Sequence, residues 1–205
     1  MISLKYFSGF SLTGGMHIKP ITFKLEKILP LIEYGHLDYG ENKVQEAIEK
    51  WSEIKLKKQN IKLHLIGKLQ TNKVKHAIKI FDYLHSVDSI KLAKKIADEQ
   101  DKQNKKPKLF IQVNIGDEEQ KSGINVNQIE DLIIFSKKLN LNIIGLMCIP
   151  PANEEPDKYF KEIKLLNKKF NLSEISMGMS SDYLKAVENS STYLRIGSSI
   201  FGQRS

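Results

Sequence analysis

A single cysteine, Cys148, in 205 residues excludes an internal disulfide and any cysteine-cluster metal site. Redox and zinc chemistry are set aside, and the chain suits a reducing compartment. No apolar run approaches the roughly 18 residues needed to cross a bilayer. The opening stretch MISLKYFSGFSLTGGMH has no long apolar segment followed by a small-residue cleavage site. The expectation is a cytoplasmic protein without membrane contact. The glycine-rich fingerprint of an open dinucleotide-binding sheet is also absent, since Gly14-Gly15 does not match it. Internal repeats, low-complexity tracts and linkers are missing; Gln103 to Pro107 reads as a turn between a helix and a strand.

Acidic residues are in the minority, 24 against 32 Lys and Arg, for a net charge of +8. The lysines are scattered along helix-like segments, as in Lys91, Lys94, Lys95 and Lys161, Lys164, Lys168, Lys169, among acidic neighbours. They read as solvated helix faces, so nucleic acid is not the expected partner. The charge would instead help attract phosphorylated small molecules. With 40% hydrophobic residues the chain can build one core, and residues 1–205 are read as one domain.

From Phe23 onward, short apolar runs alternate with longer amphipathic segments, the pattern of βα units around a parallel sheet. Helices are expected over 24–35, 43–58, 69–80, 89–104, 126–140, 154–170 and 181–189. Strands are expected at His36–Tyr39, Lys62–Ile66, Tyr83–Val87, Leu109–Ile115, Ile143–Ile149, Glu174–Met177 and Tyr193–Ile196. A further strand in Met16–Ile21 brings the number to eight, which closes a TIM-type (β/α)8 barrel.

Polar residues gather just after these strands, at the rim where barrels place their sites. Gly40-Glu41-Asn42, Lys121-Ser122-Gly123, Ser176-Met177-Gly178-Met179-Ser180 and Arg195-Ile196-Gly197-Ser198-Ser199 are the main groups. The last two resemble a phosphate cup, because glycine admits close backbone approach and N–H groups with Ser hydroxyls suit an oxyanion. Ser180 also reads as the N-cap of the next helix, with Asp182 in its first turn, and Ser86 and Asp88 read as caps too. His64, alternating with Leu63 and Leu65, is better read as a barrel-interior or core histidine than as a catalytic base. Met147, Met177 and Cys148 read as packing residues, with only Met179 near a ligand.

The blocks at 40–47 (GENKVQEA), 64–73 (HLIGKLQTNK), 85–89 (HSVDS), 112–115 (QVNI), 121–123 (KSG), 145–147 (GLM), 176–180 (SMGMS) and 195–202 (RIGSSIFG) resemble the pyridoxal-phosphate homeostasis proteins, in order, across about residues 22–204. The resemblance implies a barrel like the N-terminal domain of alanine racemase with pyridoxal 5′-phosphate in its rim. It implies that Ser180, Gly197 and Ser198 hold the phosphate, with Asn42 beside the cofactor ring. Arg195 would face the pyridine nitrogen, where a cation disfavours protonation and weakens the electron sink. Lys121 would assist cofactor exchange or capture. In the family a lysine at the end of the first strand bonds the cofactor. Here residues 1–21 diverge: ungapped alignment places Ile21 at that position, and Lys19 and Lys24 are the nearest substitutes, Lys19 being the better placed for the rim. A racemase would also need a second, C-terminal β-domain, which this sequence is expected to lack. The implied role is a monomeric carrier of the cofactor in vitamin B6 homeostasis, without dedicated catalysis. A racemase-like enzyme and a variant without covalent capture stay open as alternatives.

Overall fold

The computed structural model of the chain describes residues 17–18, 25–118 and 120–201. Eight parallel strands close on themselves in chain order: β1 (His17–Ile18), β2 (Asp38–Glu41), β3 (Lys62–Leu65), β4 (Tyr83–Val87), β5 (Lys108–Val113), β6 (Ile143–Cys148), β7 (Glu174–Met179) and β8 (Tyr193–Ile196). Closure rests on β1, where Ile18 pairs with both Tyr39 of β2 and Ile196 of β8. A closed sheet leaves no strand edge to aggregate. The helices that return the chain are α1 (Leu25–Glu33), α2 (Val44–Lys57), α3 (Val74–Ile80), α4 (Ile90–Gln103), α5 (Ile129–Lys138), α6 (Asp157–Lys169), α7 (Tyr183–Glu188) and the short α8 (Ser198–Phe201). The TIM-type (β/α)8 barrel expected from the alternating pattern is the fold observed.

Strand alternation divides the core into two parts. Leu63, Leu65, Leu84, Leu109, Ile111, Leu146 and Ile175 pack outward against helix residues such as Trp51, Ala77, Ile78, Ile96, Leu132 and Ile163. Each such large side chain contributes roughly 1.5–3 kcal/mol on burial. The opposite faces of the strands fill the barrel with a smaller apolar set, Phe110, Met147 and Tyr193, and with the buried polar residues His64, His85, Ser176 and Arg195. The barrel interior is therefore the less apolar of the two.

Several boundaries differ from the sequence expectation for identifiable reasons. The strand expected at His36–Tyr39 runs instead from Asp38 to Glu41, because its register is set by β3: Asp38 faces Lys62 and Glu41 faces Leu65. His36 is drawn into the turn before it, where its carbonyl accepts from Tyr39 Oη at 3.0 Å. The segments 69–80 and 126–140 each begin as a 3-10 turn, Thr71–Lys73 and Val126–Gln128, before becoming α-helix. Ser86 and Asp88 do not cap α4; Ser89 does, its Oγ accepting from Leu92 N–H at 3.3 Å. Nor does Ser180 cap α7. Asp182 stands at that position, and its carboxylate accepts from Met179 N–H at 2.5 Å.

Glu41 joins β2 to the helix that follows it. Its Oε1 accepts from Trp51 Nε1 at 2.6 Å and from Lys50 Nζ at 3.0 Å, while Oε2 is buried with no hydrogen-bond partner. Burial outweighs both donors and pushes this carboxyl above its ordinary value. A carboxyl whose folded pKa is raised favours the folded state below its unfolded value, about 4.3. That advantage is lost as pH rises through the folded value. Denaturant titrations across pH are expected to show the Glu41→Gln variant gaining stability relative to the wild type as pH rises from acid to neutral; a constant difference between the two would contradict the assignment.

Candidate functional site

The loops leaving β7 and β8 meet at the rim. β7 reaches its end through Gly178, whose φ of +90° and close packing, 2.6 Å from a notional Cβ to Ala186 Cβ, leave no place for a side chain. Beyond it, Ser180 Oγ accepts from Gly197 N–H at 3.2 Å. This bond ties the two loops together and leaves the serine's own proton available to donate. Gly197 begins a tight turn into α8, its carbonyl accepting from the N–H groups of Ile200 and Phe201, each at 3.0 Å. Ser198 and Ser199 are exposed in the first turn, where backbone N–H groups have no partner within the helix. Two loops thus converge as a set of donors, the chemistry that an anionic ester requires. Met179, half-buried, lies at the foot of this cup and pairs in register with Arg195.

Arg195 points into the barrel and is 2% exposed. Its Nη1 donates to Ser176 Oγ at 2.9 Å and its Nη2 to the carbonyl of Cys148 at 2.8 Å. Burial lowers the pKa of the guanidinium, and Asp182 supports its charge from a distance. Cys148 is itself fully buried, which pushes its thiol up to about 12 and removes it from nucleophilic roles. The packing role expected for Cys148, Met147 and Met177 matches their complete burial.

Asp38, His85 and Ser176, to which the sequence reading gave no role of their own, share this interior with His64. His85 Nδ1 lies 2.9 Å from Ser176 Oγ, and its Nε2 lies 3.1 Å from Nδ1 of His64. His64 Nε2 in turn lies 3.1 Å from Asp38 Oδ1. Burial holds both imidazoles well below their ordinary pKa, so both are neutral. The core-histidine reading of His64 holds. His85, Asp38 and Ser176 were findable from strand parity alone, since each falls on the inward face of its strand.

Asn42 stands across β1 from the cup, at the start of the loop after β2. With Lys43, Gly67, Lys68, Gln70 and Lys73 it lines an open cleft of about 450 Å³. Gly67 is needed here: a Cβ on it would come within 2.2 Å of the Asn42 carbonyl oxygen. Lys121 is half-buried at the rim, paired with Glu118 and donating to the Pro150 carbonyl at 3.3 Å. Lys19, Ile21 and Lys24 lie outside the described residues. Among the described residues no helix is long and apolar enough to cross a membrane, and no group of three His, Cys, Asp or Glu could hold a metal ion.

The family model for the alanine racemase N-terminal domain matches residues 22–205. The pyridoxal phosphate homeostasis protein of Aquifex aeolicus is 38% identical over 176 residues, covering 81% of this chain and 76% of that one. The chain belongs to this family. The homeostasis protein of Synechocystis is similar at 37% identity, covering 83% of this chain and 82% of its own. Among solved structures, the PipY protein of Synechococcus elongatus with PLP bound superposes with a TM-score of 0.84 at 31% identity, covering 91% of this chain and 92% of that one. An alanine racemase of Clostridium difficile shares the fold at TM-score 0.63 and 14% identity, with 84% of this chain matching 46% of the enzyme.

Within this member of the homeostasis family, the contact of Gly67 with Asn42 gives a direct test of the rim's construction. Gly67→Ala is expected to displace the Asn42 loop and cost roughly 1–3 kcal/mol, as overpacking does. Thermal unfolding together with amide chemical shifts at Asn42 and Lys43 would read it, and an unchanged Asn42 environment would count against the contact.

Proposed function

We propose that this chain binds pyridoxal 5′-phosphate at the rim above β7 and β8 and acts as a cytoplasmic, monomeric carrier in vitamin B6 homeostasis, without dedicated catalysis. The observation that carries the reading is the junction of the two loops through Ser180 and Gly197, with exposed Ser198 beside it. Ser180 and Ser198 offer hydroxyls and the turn into α8 offers N–H groups, a donor set that fits a phosphate monoester. The names of the relatives and the ligand of PipY point to the same compound.

When bound, the cofactor supplies an electrophilic aldehyde and a ring able to delocalise charge. The chain's own residues restrain that chemistry. Arg195, held as a cation beneath the cup, disfavours a proton on any ring nitrogen it faces. The half-buried Met179 gives the ring an apolar contact. Asn42 offers an amide on the far side of β1. Lys121 is held by Glu118 and the Pro150 carbonyl, and assists exchange of the cofactor when those contacts open. Lys19, which follows β1 directly in the chain, is the candidate for covalent capture.

Mass spectrometry after borohydride reduction in the presence of pyridoxal phosphate is expected to find the label on a single lysine, and Lys19→Ala to abolish it. Ser180→Ala is expected to weaken pyridoxal phosphate binding about tenfold, equivalent to about 1.4 kcal/mol, with the fold retained; full affinity in that variant would refute the cup. Exchange of the α-proton of amino acids is expected to run no faster than with free cofactor, and faster exchange would favour a racemase-like enzyme instead.

A further inference from the structure

We propose that Asp38, His64, His85 and Ser176 form a one-directional hydrogen-bond chain through the barrel interior that positions the Arg195 guanidinium, with both histidines protonated on Nε2 alone. The direction follows from the two ends. An ionised Asp38 only accepts, so His64 Nε2, 3.1 Å away, carries the proton and His64 Nδ1 is left as an acceptor. It accepts a hydrogen bond from His85 Nε2–H, leaving His85 Nδ1 to accept from the Ser176 hydroxyl. Ser176 Oγ then has its lone pairs for Arg195 Nη1 at 2.9 Å. Arginine cannot accept a hydrogen bond, so both ends of the series agree.

The reverse order would require a protonated Asp38, although 18% of that side chain reaches solvent, where a carboxylate is readily hydrated. A charged histidine in the middle would add a cation to a fully buried site that already holds one. His64 stacks on Tyr83 at 4.0 Å between ring centroids and His85 on Phe110 at 4.3 Å, with Tyr193 beside both, so the rings are fixed in the orientation the chain needs.

Among the described residues no ion pair includes Arg195. Asp182, whose charge favours the guanidinium, accepts from Met179 N–H. What faces the guanidinium is a series of dipoles turned negative end toward it, with a carboxylate at the remote end. The chain has only two arginines, Arg195 and Arg204, among its 32 Lys and Arg residues. A planar fork with fixed donors is needed here, where lysine would offer only a point charge. Two of its donors are pinned and the rest stay available to a ligand. That last step rests on the pyridoxal-phosphate reading; the hydrogen-bond chain does not.

The test uses the full-length protein. In the ligand-free wild type, nitrogen NMR of labelled histidine is expected to show Nε2–H tautomers at His64 and His85 that persist from about pH 5 to 8, the range in which an ordinary histidine titrates. Ser176→Ala is expected to alter the signals of His64, two links away, and to weaken pyridoxal phosphate binding about tenfold. Asp38→Asn, at the solvent-reaching end, is the second variant should the first not fold, and is expected to weaken binding from the far end of the series. Nδ1–H or charged imidazoles in the wild type would overturn the proposed direction. Unchanged His64 signals in Ser176→Ala, or full affinity in either folded variant, would overturn the positioning role. A wild type with the expected tautomers that ignores pyridoxal phosphate would refute the proposed function while leaving the chain intact.

Discussion

A guanidinium inside a closed barrel must find its hydrogen bonds in the barrel wall. Moving an isolated charge out of water costs far more than any single contact returns, so the residues around it are constrained together. Arg195 is met by a serine hydroxyl and a main-chain carbonyl, and the neutral histidines behind the serine extend the polar set to the opposite end of the barrel. The inward faces of β2, β3, β4 and β7 are thereby committed to polar residues, and the apolar packing is left mainly to the outward faces and the helices. This division explains how a barrel with few apolar residues in its interior keeps a substantial core.

The same constraint separates rigid from adjustable parts of the site. Arg195 and Ser176 sit on strands, fixed by neighbours in register. Ser180 and Gly197 sit on loops, with Ser198 opening α8 just beyond, and the two loops are held to each other by a neutral hydrogen bond of 3.2 Å, worth about 1 kcal/mol. Such a junction opens at little cost. The proposed carrier role requires release, and a rim tied this lightly above a rigid floor suits release better than a sealed pocket would.

Much of this was legible in the sequence. The alternation of short apolar runs with amphipathic stretches marked seven of the strands, because burial on the outward face imposes its period on every βα unit, and the eighth was expected in Met16–Ile21, where His17–Ile18 is found. The basic balance was also legible as solvated helix faces: Lys95, Lys158 and Lys161 each pair with an acid four residues away. The misplacements have two causes. The β2 boundary, the cap of α4 and the cap of α7 are decided by partners distant in sequence or by local competition between adjacent candidates, and neither leaves a periodic signal. Ser180 resembles a cap as far as sequence goes; only the arrival of Gly197 beside it shows that its oxygen is used elsewhere. Strand parity marks His85, Asp38 and Ser176 one by one as inward-facing, but their joining into a series leaves no signal, since His85 and Ser176 are 91 residues apart.

The balance between holding and reacting turns on where the positive charge lies. The excess of lysine is spread over exposed helices, where screening within about 10 Å limits it to drawing anions toward the surface. Arg195 is different in kind, because its charge is unscreened and its plane is fixed. In the proposed function, a cation so placed would donate to the lone pair of a ring nitrogen while opposing the protonation that would make that ring a strong acceptor of electrons. On that reading affinity and reactivity are set against each other by one side chain, because a barrel that carries its arginine on neutral dipoles leaves the cation's charge unneutralised.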